Sequence, residues 1–188
     1  DHAVVSRRSL VKIDRDIPLD HAALFGCAVL TGVGAVVNTA QVTAGATVAV
    51  IGLGGVGMAA LLGALAAGAG RVIAVDLSPQ RIAFARQLGA TDAFEAGPSA
   101  ADAIRDATKG GVEIAIETAG AIKALDLAYK ITRRGGITVT AGLPPPDAKL
   151  EIPAVSLVAE ERTIKGSYIG TAVPLRDLPR YLALYRQG

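Results

Sequence analysis

Three features of the 188-residue chain have the residue types and spacing to do chemistry. The first is the loop Gly52-Leu53-Gly54-Gly55-Val56-Gly57, which follows an apolar, β-branched run. The second is Asp76, 19 residues beyond Gly57, at the end of another such run. The third is Cys27, a lone thiol in an uncharged segment. A Gly-x-Gly-x-x-Gly loop between a strand and a helix, with an acid about 20 residues on, has the parts to hold a dinucleotide. Gly52 then permits the tight turn, Gly54 lets the backbone approach a pyrophosphate, and Gly57 allows close helix–strand packing. The free N–H groups and positive dipole end of the following helix attract the phosphates. A purely structural glycine turn is the alternative reading.

Asp76 speaks to which dinucleotide. A carboxylate accepts hydrogen bonds from both ribose hydroxyls of NAD and repels the 2′-phosphate of NADP. An NADP site more often has a small residue there and an Arg directly after it. Here Leu77, Ser78 and Pro79 follow, and the first cation is Arg81. NAD is therefore the expected cofactor. Arg81 can pack over the adenine or reach the ribose, or it can be a solvated helix arginine.

The elements around these residues must position them. Apolar runs predict strands at Thr47–Ile51, Arg71–Asp76, Thr91–Phe94, Val112–Thr118, Gly136–Gly142 and Arg162–Tyr168. Helices are expected over Gly55–Ala69, from Pro79 to a stop at Gly89, over Ser99–Thr108, over Ala121–Ile131 and over Leu175–Tyr185. Ser78-Pro79 reads as a cap with Pro at the first helical position. In the helix that it opens, Ile82, Phe84, Ala85 and Leu88 form the expected apolar stripe. Strand–helix alternation with right-handed crossovers means a doubly wound α/β fold with a parallel six-stranded sheet, the Rossmann arrangement. Residues 1–45 fall outside that rhythm and read as two short helices leading into the sheet. The expected division is a lead-in segment at 1–45 and a nucleotide-binding domain at 46–188.

Composition excludes several function classes. With 51% hydrophobic and 19% charged residues, a large core is expected and disorder is not. The net charge is +2 and no Lys/Arg run exceeds two residues, so there is no electrostatic footprint for nucleic acid. From Ala22 to Gly70, 49 residues carry no Asp, Glu, Lys, Arg or His, enough by length for two membrane helices. Eleven glycines, the polar stretch NTAQVTAGAT and the strand–helix alternation argue instead for strands buried on both faces. One cysteine and an N-terminus without an apolar signal core fit a cytoplasmic protein.

The stretch from Phe25 through GCAVLTGVGA, VTAGATVAV, GLGGVG, VD and LGATD closely resembles the zinc-dependent medium-chain alcohol dehydrogenases. The resemblance extends more weakly through ETAG, GLPPP and RTIKGSYIG, and so covers essentially the whole chain. It implies that Cys27, otherwise readable as a small buried hydrophobe, is a ligand to catalytic zinc. It implies that Thr31 lies beside the nicotinamide. Gly52, Leu53, Gly54, Gly55, Val56, Gly57, Asp76 and Arg81 match the pyrophosphate and ribose contacts. Ala141, Gly142 and Leu143 match backbone contacts to the carboxamide end, with Thr118 and Ile169 lining the same cleft. The implied reaction is zinc-assisted hydride transfer between an alcohol and NAD to give an aldehyde or ketone. The implied assembly is a homo-oligomer joined through the sixth strand. An ordinary edge strand blunted by Arg162 and Lys165 is the alternative.

The chain departs from the family where zinc is concerned. Catalytic zinc takes three protein ligands, yet only one Cys and two His, His2 and His21, are present and neither His falls in a matching position. The expectation is a coenzyme-binding fragment that binds NAD(H) and catalyses nothing by itself, with zinc held only in the intact parent. Two other readings stay open. A zinc-free, NADPH-dependent quinone-reductase-like domain is opposed by Cys27 and Asp76. A non-catalytic NAD-sensing module gives no reason for the family-like lead at Phe25–Gly34.

Overall fold

In the computed structural model, which describes residues 4–7 and 10–187, the chain forms six strands. These are β1 (Thr47–Ile51), β2 (Arg71–Asp76), β3 (Asp92–Glu95), β4 (Val112–Glu117), β5 (Thr132–Thr140) and β6 (Thr163–Gly166). All pair in parallel, in the order β3-β2-β1-β4-β5-β6. The connections carry α3 (Gly55–Ala66), α4 (Pro79–Gln87), α5 (Ala100–Ala107), α6 (Ile122–Ile131) and α7 (Ala154–Ala159), and α8 (Pro174–Tyr185) closes the chain. This is the expected doubly wound Rossmann fold, with the strand order reversing between β1 and β4.

Both faces of the central strands are covered, which is why the middles of β1, β2 and β4 are apolar and their charged residues sit near the strand ends. Side chains alternate with a period of two. Val48 and Val50 join Val36, Leu61, Val72 and Ile116 on one face. Ala49 and Ile51 join Ile73, Ile104, Val112 and Ile131 on the other. A third cluster ties Phe25, Leu30 and Val33 to Leu178, Tyr181 and Leu182 of α8.

The structure corrects the sequence reading at five places. The two short helices expected in the lead form one 22-residue run, Leu19–Ala40. Within it α1 (Leu19–Leu24) and α2 (Leu30–Gly34) alternate with wider π turns at Phe25–Val29 and Ala35–Ala40, and Gln41 in the left-handed region ends it. Gly32 and Gly34 do not break it because they are sites of backbone contact. A Cβ on Gly32 would sit 2.2 Å from the Val56 carbonyl, and one on Gly34 would sit 2.5 Å from the Gly170 carbonyl. By length and composition this helix could cross a membrane, but half of its most apolar window is buried in the domain.

The fifth strand begins four residues earlier than expected, at Thr132, directly after α6. Its pairing with β4 shifts register between Val112 and Ile114, and Gly135 takes φ +67 in the extra segment. Phe84, expected in the apolar stripe of α4, is 49% exposed, while Ile82 and Ala85 are buried. A nine-residue helix puts 84 on the outer side of the pair 82 and 85. Helix α7 was not expected, since the prolines before it masked a short apolar turn whose Val155 and Val158 stay exposed. Just before β6, Arg162 does not blunt the edge. It turns inward, 2.5 Å from Glu160 and stacked on the Tyr129 ring at 4.9 Å.

Candidate functional site

The loops at the carboxyl ends of β1, β2 and β4 surround a cleft of about 1400 Å3 that takes in Gly52, Gly54, Asp76, Arg81 and Thr118. Each glycine of the loop meets a different constraint. Gly52 takes φ +91, and a Cβ there would lie 2.8 Å from Ala119. Gly57 has no room at all, because a Cβ would lie 1.8 Å from the Gly52 carbonyl oxygen. Gly54 is the opposite case, with nothing within 4 Å of its Cβ position. The Met58 N–H already donates to the Gly54 carbonyl at 2.8 Å. The N–H groups of Gly55, Val56 and Gly57 are thus the first-turn donors, which have no acceptor within their own helix. Leu53 is 2% exposed, so only its backbone serves the loop.

Asp76 is nearly buried at the end of β2, and its carboxylate is fixed from two sides. Oδ2 accepts the Leu53 N–H at 2.6 Å, and Oδ1 accepts the Ser78 N–H at 2.8 Å. A carboxylate has about four acceptor positions, so roughly two remain for hydroxyl donors. Ser78 in turn caps α4 by accepting the Arg81 N–H, with Pro79 at the first helical position. Arg81 reaches to 3.8 Å from Asp76 and is 57% exposed, the nearest cation to the carboxylate.

The second half of the sheet ends in a tighter arrangement. Glu117, 1% exposed, accepts the Gly120 N–H at 2.6 Å and the Thr140 hydroxyl at 2.7 Å. Its own carbonyl accepts the Ala141 N–H at 2.8 Å. Gly120 and Gly142 meet backbone to backbone, since a Cβ on Gly142 would sit 2.1 Å from the Gly120 nitrogen. Thr118 donates its hydroxyl proton to the Gly52 carbonyl at 2.6 Å, joining the β4 loop to the β1 loop. Ala141, Gly142 and Leu143 lie beside Glu117 and Gly120 and outside the cleft that takes in Gly52, Gly54 and Asp76, and Leu143 is 80% exposed. The sequence signal for the Glu117 role is a lone acid closing an apolar strand.

The lead helix brings the remaining candidates to the same end of the sheet. Ala28 lies 3.6 Å from a Cβ on Gly55 and Gly32 meets the Val56 carbonyl, so Cys27 and Thr31 each stand one residue before a residue that abuts the loop or the start of α3. Cys27 is exposed and Thr31 is 8% exposed. Against this helix lies a turn after β6 in which Ile169, Gly170 and Thr171 have φ of 47°, 66° and 50°. Left-handed conformations at β-branched residues cost on the order of 1–3 kcal/mol each and persist only when neighbours enforce them. Asp177 of α8, fully buried, takes part in that enforcement. Hydrogen bonds from Arg176 hold its carboxyl below the usual range, against the opposing effect of burial.

Zinc is not accommodated by these residues alone. A catalytic zinc takes three protein ligands, and no group of three His, Cys, Asp or Glu side chains among the described residues could hold a metal. His21 is engaged with the Tyr185 hydroxyl at 2.5 Å, and His2 lies outside the described residues.

Comparison with known proteins agrees with this geometry. A family model described as zinc-binding dehydrogenase matches residues 55–187. Alcohol dehydrogenase 1 of Cenchrus americanus is 36% identical over 189 residues, covering 98% of this chain and 50% of the relative. The alcohol dehydrogenase zinc-binding domain protein of Burkholderia ambifaria superposes with a TM-score of 0.91 at 37% identity, over 95% of this chain and 48% of its own. A zinc-binding dehydrogenase of Sinorhizobium meliloti bound to NADP gives a TM-score of 0.70 at 28% identity, over 77% and 43% of the two chains. The chain spans about half the length of the curated relatives it matches.

Proposed function

The chain belongs to the zinc-binding dehydrogenase family, the zinc-dependent medium-chain alcohol dehydrogenases, and from that premise we propose that it binds NAD(H) for alcohol–carbonyl interconversion by the whole protein. The observation that carries this reading is the buried Asp76, fixed by the Leu53 and Ser78 N–H groups beside the open space at Gly54. In this reading the first-turn N–H groups of Gly55, Val56 and Gly57 hold the pyrophosphate. The two free acceptor positions of Asp76 take the ribose hydroxyls, and Arg81 shields the carboxylate from the solvent side. Ala141, Gly142 and Leu143 hold the carboxamide end, with Thr31 and Ile169 beside it. When bound, NAD supplies the hydride acceptor.

One structural relative is bound to NADP, so the 2′ position is where the proposal is tested. A phosphate about 5 Å from a carboxylate costs roughly 3 kcal/mol per charge at an effective dielectric of about 20. The exposed Arg81 reduces that, leaving a preference for NADH of about tenfold or more. Titrating the chain with NADH and NADPH by nicotinamide fluorescence should show that preference, and Asp76→Ala should abolish it. Equal affinities in the unaltered chain, tighter NADPH binding, or no binding would each refute the assignment.

A further inference from the structure

The left-handed turn after β6 is held by two neighbouring residues of the lead helix. Asn38 Nδ2 lies 3.2 Å from the Gly170 carbonyl, 3.3 Å from Asp177 Oδ2 and 3.3 Å from the Tyr181 hydroxyl. The carbonyl and the carboxylate can only accept, so the amide must present its NH2 group here. Thr39 Oγ1 lies 2.7 Å from the Ser167 hydroxyl and 2.8 Å from the Thr171 hydroxyl. Asp177 Oδ2 also accepts the Val173 N–H at 2.8 Å, closing the chain just past the turn. Both clamp residues lie in the π turn Ala35–Ala40. Such wide turns occur often at functional sites.

The clamp grips one side of the turn and leaves the other facing out. Gly170 is pressed against the lead helix, where a Cβ would be 2.3 Å from the Leu30 carbonyl and 2.9 Å from that of Thr31. Ile169 and Tyr168 are 40% and 75% exposed. A doubly wound sheet has two mononucleotide-binding halves. Asp76 and the glycine loop belong to the half built on β1 to β3, whereas this turn ends β6 in the other half.

We propose that Asn38 and Thr39 are positioning residues that hold the turn 168–171 in its left-handed form and so set the grip on the nicotinamide half of the cofactor. The proposal rests on the reading of the cleft as an NAD(H) site. Neither residue touches the cofactor itself: Asn38 acts through the Gly170 carbonyl, and Thr39 through the Ser167 and Thr171 hydroxyls that flank Ile169 and Gly170.

ADP-ribose, which has the adenosine and pyrophosphate but no nicotinamide, separates this role from a general structural one. The experiment measures NADH and ADP-ribose affinities by calorimetry for the unaltered chain, Thr39→Val, Thr39→Ser and Asn38→Ala. Thr39→Val keeps the volume and removes the hydroxyl, so it decides the matter even if Asn38→Ala, which strips a partner from buried Asp177, does not fold. The expected result is an NADH affinity about tenfold weaker in Thr39→Val, with ADP-ribose changed by less than about twofold. Thr39→Ser should restore NADH binding. Equal losses for both ligands, or no loss for either, would overturn the clamp's role while leaving the cofactor site standing. Failure of the unaltered chain to bind ADP-ribose would instead remove the cofactor reading, and the clamp's role with it.

Discussion

The glycine loop makes a paired prediction in which two Gly→Ala changes three residues apart fail in opposite ways. At Gly57 a Cβ would lie 1.8 Å from the Gly52 carbonyl, and ordinary contact begins at 3.4 Å, so one partner must move by about 1.6 Å. Moving that carbonyl also breaks the 2.6 Å hydrogen bond it accepts from Thr118. Overpacking costs roughly 1–3 kcal/mol and the lost bond about 1 kcal/mol. The helix propensity gained from alanine returns no more than about 1 kcal/mol. The net is about 1–3 kcal/mol, or a Tm lower by about 2–12 °C for a chain of this size.

At Gly54 the same methyl meets nothing within 4 Å, and φ is already −75°. Stability should change by no more than about 0.5 kcal/mol. NADH affinity should nevertheless fall about tenfold or more, because the methyl fills the space a pyrophosphate would occupy. Circular-dichroism melts and NADH titrations on the two variants test both halves. A Gly57→Ala chain as stable as the original would refute the packing argument. Normal NADH binding by Gly54→Ala would mean that the phosphates do not lie over this loop.

Thr118→Val removes the hydroxyl donor to the Gly52 carbonyl and should lower stability by about 1–2 kcal/mol, read as a melt lower by roughly 2–8 °C; an unchanged melt would show that the two loops are not coupled through this bond. Two carboxyls with depressed pKa values govern acid stability, Asp92 through its hydrogen bond from Arg71 and Asp177 through that from Arg176. Their contribution is fully present above the unfolded value of about 3.9 and is lost as pH falls through the lower folded values. The Tm should therefore drop steeply below about pH 4, and Asp177→Asn should make that drop shallower; a slope unaltered by the substitution would count against the assignment.

The sheet was legible because its central strands are buried on both faces, so a run such as Val48–Ile51 carries no charge and little else could hold it. The glycine loop and Asp76 were legible because their partners are close in sequence and the glycine constraints are backbone constraints. The lead helix was misread because glycine usually breaks helices, whereas Gly32 and Gly34 are there for contacts with residues far along the chain. The hydrogen bonds of Asn38 to Gly170, Asp177 and Tyr181 cross more than 130 residues, and no local pattern announces them. Asn38, one of two side-chain amides in a long uncharged run, was the trace they left. Residue type likewise foretold nothing of the inward turn of Arg162, which follows from Tyr129 and Glu160 lying beside it.

The contact of Gly32 with the Val56 carbonyl makes the lead helix a ruler. An α-helix that slips by one residue advances about 1.5 Å and turns by about 100°, which would drive the side chain of Thr31 or Val33 into that carbonyl. Sliding is therefore closed as a way to absorb an insertion or deletion. Added or lost residues between Cys27 and the glycine loop must be taken up in the short turn from Gln41 to Ala46, after the helix ends. The span from thiol to phosphate cradle is thus set by the count of helical residues from Cys27 to Gly32, and a change of count between those two would move the thiol relative to the loop.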